Sequence, residues 1–172
     1  YYYTVFKLEL QFKIKIIYNN FFLTKQKFCA ILFPTLFEKG LSSMAMTKQI
    51  LSSPNAPAAV GPYSHGISAT GNIICISGQL PIDPATGQFA QGGIRAQTRQ
   101  SLTNLRAILS EAGADLSNVI KTTVFLKSMD DFSAMNEEYA SFFRSAPPAR
   151  SAFEVARLPM DALVEIEAIA VV

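Results

Sequence analysis

Residues 94–126 read IRAQTRQSLTNLRAILSEAGADLSNVIKTTVFL, and the fold class is decided inside this run because its period changes once. Ile94, Thr98, Ser101/Leu102, Leu105, Ile108/Leu109 and Ala112 recur at spacings of three and four, with Arg95, Arg99 and Arg106 between them. That is the pattern of an amphipathic helix with one face against a core. Gly113 is placed to end it, because glycine takes the left-handed conformation that closes a helix without steric cost. Val119–Leu126 then turns to β-branched and aromatic residues, which suit a strand.

Working outward, a second helix follows, capped by Asp130 or Asp131, with Phe132, Met135, Tyr139 and Phe142/Phe143 as its inward stripe. It has to stop before Pro147-Pro148. Ser151–Arg157 and Leu163–Val172 read as the last two strands. In the final one Val164, Ile166, Ala168 and Ala170 share a face opposite Glu165, Glu167, Ile169 and Val171. Upstream, Ser52–Pro62 holds three prolines and a glycine and is an irregular loop, and Pro81–Gly93 is another region of turns. Between them Gly66–Thr70 and Asn72–Ser77 form two strands about Gly71, the run Ile73–Ile76 suggesting cover on both faces. The predicted order is β-β-α-β-α-β-β, an α+β layer with two helices on one face of a sheet. The sheet's other face would stay bare in a monomer, which points to an oligomer.

The first 45 residues differ in kind. They contain six lysines, no arginine and two acids, a net +4, whereas residues 46–172 carry nine basic and eleven acidic residues, a net −2. Their longest uncharged runs, Ile16–Thr24 and Phe28–Phe37, fall short of the roughly 20 apolar residues that span a bilayer. They lack the arginines of a transit peptide and the ordered regions of a signal peptide. Residues 1–45 are therefore expected to be a non-domain extension, either translated upstream sequence before a start at Met44 or Met46, or an atypical presequence. Residues 46–172 are expected to form the single domain. A mildly acidic domain is a poor general partner for a phosphate backbone, so nucleic acid is not expected, nor is a membrane.

Much chemistry is excluded by residue type. His65 is the only histidine, so no Ser-His-Asp triad or multi-histidine metal site can form in one chain. There is no phosphate-binding Gly-Lys-Ser/Thr loop and no Cys-x-x-Cys pair, and the two cysteines, Cys29 and Cys75, fall on either side of Met46. Cysteine usage fits a reducing, cytoplasmic setting, with an organelle as the alternative if the extension is a genuine presequence. What remains is sparse: Arg150 and Arg157 around an apolar strand, Glu165 and Glu167 on one face of the last strand, Tyr63 in a Gly-Pro loop, and Ser77-Gly78 at a strand end. Taken singly, these are ordinary rim, interface and turn residues.

Together they are more specific. Asn55–Tyr63 (NAPAAVGPY), Ile76–Leu80 (ISGQL), Lys121–Leu126 (KTTVFL), Pro148–Pro159 (PARSAFEVARLP) and Val164–Val171 (VEIEAIAV) resemble, in order and separation, the RidA/YjgF family of imine and enamine deaminases. The resemblance runs from about Met46 to Val172. It implies a chorismate-mutase-like subunit in a homotrimer with pockets between subunits. It implies hydrolysis of 2-aminoacrylate and 2-aminocrotonate, through their imines, to 2-oxo acids and ammonia, without cofactor or metal. The same resemblance supplies a functional link to the PLP-dependent dehydratases that release those intermediates.

By the same resemblance Arg150 holds the substrate carboxylate in its planar fork, and Glu165 orients or deprotonates the attacking water. Tyr63, Ser77, the Gly78 amide and Asn136 shape the pocket. Ala152 stands where many members carry cysteine, so its part runs through backbone groups. Two alternatives come with the family: ribonuclease or translation inhibition, and a non-catalytic ligand-binding or chaperone-like trimer.

Overall fold

The computed structural model describes residues 46–172, so the expectation for residues 1–45 lies outside the described residues. The run that opened the reading forms α1 (Gly93–Glu111) and β6 (Val119–Leu126), and it is preceded by β1 (Thr47–Leu51), β2 (Gly66–Thr70), β3 (Ile73–Gln79), β4 (Ile82–Asp83) and β5 (Gln88–Phe89). After it come α2 (Phe132–Phe142), β7 (Ala149–Glu154) and β8 (Val164–Val171). The central sheet has the order β3-β8-β6-β7, with β3–β8 and β6–β8 antiparallel and β6–β7 parallel. The parallel pair follows from the α2 crossover, since consecutive strands joined by a helix run the same way.

Both helices lie on one face, as the sequence predicts. Leu102, Leu105 and Leu109 of α1 and Met135 and Tyr139 of α2 are fully buried against Val124, Leu126, Val164, Ile166 and Ala170. The alternation of β8 holds over its first six residues, Val164, Ile166 and Ala168 being buried and Glu165, Glu167 and Ile169 less so. Arg99 of α1 makes a bidentate pair with the buried Glu138 of α2, both contacts 2.8 Å, which fastens the helices to each other. Gly113 has φ +67°, in line with its expected part in ending α1.

Five expectations change. The first strand, β1, pairs only with β2 in a small sheet of its own, and β4–β5 form a short hairpin inside the expected turn region. Lys48 of β1 ties that small sheet to the body, its Nζ donating to the Ser117 and Val119 carbonyls at 2.8 Å each. The Asp131 side chain does not cap α2; instead Ser128 accepts from the Asp130 N–H at 3.2 Å and starts a 3-10 turn, Met129–Asp131, that leads into the helix. The strand expected at Ser151–Arg157 is β7, which begins earlier and ends at Glu154 because its partner β6 ends at Leu126. Finally, β3 is covered on one face only: Ile76 is buried, but Ile73 is 69 % exposed and Cys75 is exposed. Ile73 and Cys75 join Ile169, Phe125, Phe153, Glu165 and Glu167 on the open face of the sheet, where the Phe125 and Phe153 rings meet edge to face at 5.5 Å.

Candidate active site

Arg150, the second residue of β7, stands opposite Thr122 of β6, and Thr122 in turn faces Ala168 of β8. Register partners share a face, so Arg150 lies on the helix side of the sheet. There its guanidinium meets three rings, with its carbon 4.7 Å from the centre of Tyr139, 5.6 Å from Tyr63 and 5.8 Å from Phe132. Phe132, Asn136 and Tyr139 are spaced four and three along α2 and so share one helix face.

The Tyr63 loop is held to the same place. Ser64 donates its N–H to the Pro148 carbonyl at 3.0 Å and its hydroxyl to the Pro147 carbonyl at 2.5 Å. Gly61 passes close to the guanidinium, where a Cβ would stand 3.3 Å from Arg150 Nη2.

The electrostatics are those of a cation kept from water. Burial draws the Arg150 pKa down from its usual value, against the opposing pull of Tyr139 and Tyr63, yet a guanidinium remains charged at any physiological pH. Burial also raises the Tyr139 phenol, more than its bond to Thr122 (2.7 Å) and the nearby Arg150 lower it, so it stays a neutral hydroxyl. Arg150 Nη1 and Asn136 Oδ1 are both buried without a hydrogen-bond partner among the described residues. Aromatic faces attract the charge but cannot satisfy its N–H donors. An unsatisfied donor on Arg150 and an unsatisfied acceptor on the α2 face that flanks it suit a ligand that offers both an anionic oxygen and an N–H.

Glu165 belongs to a different wall. It pairs with Phe125 of β6 and lies on the open face. Across from it β3 bulges: from Ile76 to Gln79 three steps on β3 face two on β8, from Ala168 to Ile166. The extra residue falls at Ser77-Gly78, and a Cβ on Gly78 would collide with the Glu165 carboxylate. Ser77 is exposed on the same face.

The structure therefore gathers the sequence-predicted residues into two groups. Tyr63, Asn136 and Arg150 form one, with Ala152 two residues on along β7, its methyl packed on the core. Ser77, Gly78 and Glu165 form the other. Arg150 and Glu165 are on opposite faces, with β6 between their strands, about 10 Å apart across the sheet alone. One chain does not bring them together. Phe132 and Tyr139, read from the sequence as core, are also the aromatic flanks of Arg150; their inward stripe was legible, but not the parallel strand that carries the arginine to them. His65 is exposed, and no cluster of His, Cys, Asp and Glu among the described residues could hold a metal ion.

Two groups of residues on opposite faces of a helix-backed mixed sheet mark a small α+β protein. The chain belongs to the Endoribonuclease L-PSP family, the RidA/YjgF group, whose model matches residues 53–172. It is 49 % identical over 127 residues to the goat (Capra hircus) protein named 2-iminobutanoate/2-iminopropanoate deaminase, covering 74 % of this chain and 92 % of that one. The crystal structure of the Escherichia coli YjgF gene product matches with 47 % identity and a TM-score of 0.56, over 72 % of this chain and 98 % of that one. Escherichia coli TdcF with bound serine matches at 41 % identity and a TM-score of 0.57, over 72 % of this chain and 98 % of that one.

Proposed function

We propose that residues 46–172 hydrolyse 2-imino acids, the tautomers of 2-aminoacrylate and 2-aminocrotonate, to 2-oxo acids and ammonia, in a homotrimer whose sites each combine two subunits. The observation that carries this reading is Arg150: a half-buried guanidinium, ringed by aromatics, with a buried N–H donor that nothing among the described residues satisfies. A carboxylate on a small ligand matches that guanidinium in charge and in fork geometry. Serine, named as bound by the related TdcF, is a small amino acid with such a carboxylate.

In this reading the Arg150 wall of one subunit faces the Glu165 wall of the next, and the bare apolar face around Ile73, Phe153 and Ile169 is what the subunits cover. Arg150 holds the carboxylate, and Tyr63 and Phe132 exclude water around it. Asn136 Oδ1 accepts from the imine N–H. Ser77, the Gly78 amide and the backbone of Ala152 complete the pocket.

Glu165 orients a water against the imine carbon and takes its proton as the carbon–oxygen bond forms. It returns that proton to nitrogen to give the carbinolamine and then carries the hydroxyl proton to nitrogen as well, so that the carbon–nitrogen bond breaks to release ammonia as the carbonyl of the 2-oxo acid forms. An imine carbon is already electrophilic, so positioning and proton transfer suffice.

The proposal extends to a cytoplasmic location and to a protective role downstream of PLP-dependent dehydratases, whose products are these imines. Among the described residues no helix is long and apolar enough to cross a membrane. The family's name includes a ribonuclease, but this chain has one histidine, and two of the arginines on α1, Arg95 and Arg99, are already paired to Glu137 and Glu138. A threonine dehydratase assay with and without the protein tests the reading: release of 2-oxobutanoate should accelerate with it, and an unchanged rate overturns the proposal.

A further inference from the structure

Helix α1 carries a polar stripe beside its apolar one: Gln97, Ser101 and Asn104, spaced four and three, with Gln100 alongside. Gln97 is buried, and its side-chain oxygen accepts the Leu163 N–H at 2.9 Å. The Leu163 carbonyl accepts from the Lys127 N–H at 3.0 Å, so both backbone groups of that residue are held. Leu163 stands just before β8, two residues from Glu165. Asn104 Nδ2 donates to the Leu80 carbonyl at 3.1 Å and to the Ile82 carbonyl at 2.9 Å, while its Oδ1 accepts from Gln100 Nε2 at 2.8 Å. Leu80 follows Gly78 by two residues.

The same stripe thus ties down both strands next to the point where Gly78 and Glu165 meet. That point is where the β3–β8 ladder is weakest, because the bulge interrupts its register. A slip of one residue would turn Glu165 to the other face. We infer that Asn104 and Gln97 are positioning residues for the Glu165 carboxylate, acting from the helix side of the sheet. Neither touches the reacting atoms. The inference rests on the proposed reading of Glu165 as the group that orients water. A misplacement of about 1 Å in such a group costs on the order of 100-fold in rate.

Asn104→Leu and Gln97→Met remove the ties at nearly constant volume, and Gln97→Glu keeps an accepting oxygen. Each full-length variant is assayed for imine hydrolysis, and the Glu165 side-chain carboxyl is titrated by carbon NMR, which reads its surroundings whether or not the reaction is known. We expect kcat to fall by roughly 10- to 100-fold in the first two variants with KM nearly unchanged. Their Glu165 titration midpoint should move, and Gln97→Glu should restore most of both readouts. Native kcat and a native Glu165 midpoint in folded Asn104→Leu and Gln97→Met overturn the inference. Failure of both to fold also overturns it, since the stripe is then a folding element only. A native chain inert toward imines whose Glu165 midpoint still moves in the variants defeats the proposed function and leaves the positioning role standing.

Discussion

Gly78 leaves open the space that the Glu165 carboxylate occupies: a Cβ built on the glycine would overlap Oε1 and lie 2.7 Å from the carboxyl carbon. Gly78→Ala must therefore push Glu165 aside or force the bulge to shift. We expect kcat to fall by on the order of 100-fold while the affinity for 2-oxobutanoate, held by the Arg150 wall, changes little. Steady-state kinetics and calorimetric product binding check this, and a Gly78→Ala chain with native kcat would contradict it.

Arg150→Lys should nearly abolish turnover. Lysine keeps the charge but loses the two-point grip on a carboxylate. Truncating such a buried charged contact costs roughly 2–5 kcal/mol, about 30- to several-thousand-fold in kcat/KM. Circular dichroism should remain native, since among the described residues Arg150 makes no ion pair on which the fold depends.

The Thr122–Tyr139 bond offers a test of packing instead of chemistry. Both side chains are fully buried and their hydroxyls meet at 2.7 Å. Thr122→Val leaves the Tyr139 hydroxyl unpaired and should cost about 1–3 kcal/mol in urea unfolding. The double variant with Tyr139→Phe should cost less than the two single losses added, because both partners then go together.

Removing residues 1–45 should leave the unfolding midpoint and deaminase rate of residues 46–172 unchanged. The motivation is the change from net +4 to net −2 at Met46. Loss of solubility or activity on truncation would show that the extension belongs to the domain.

How far the sequence could be read depended on the kind of signal. The α1 stripe and the β-branched run of β6 are strong periodic patterns, and Val119–Leu126 is a strand to the residue. The first strand, TKQIL, has no apolar alternation and gains its place through pairing with β2 and the Lys48 tie, neither of which is local. Asp130 or Asp131 reads as the α2 cap because acidic caps are common, whereas the Ser128 hydroxyl caps the 3-10 turn that leads into the helix and α2 itself has no side-chain cap.

At the site, period two separates Glu165 from Ile166 but cannot say which face Arg150 joins. That depends on Thr122 standing opposite it, a matter of strand register. The separation of Arg150 from Glu165 was therefore visible only in three dimensions.

In the proposed trimer each site takes Arg150 from one subunit and Glu165 from its neighbour. Inactive Arg150→Lys and Glu165→Gln chains can be mixed after unfolding, refolded together and assayed for imine hydrolysis. If the sites lie between subunits of a closed trimer, random mixing makes one intact site in every hybrid, and about a quarter of the native rate should return. If the mixture is no more active than either parent while the hybrids form, both residues act within one chain and the account is wrong.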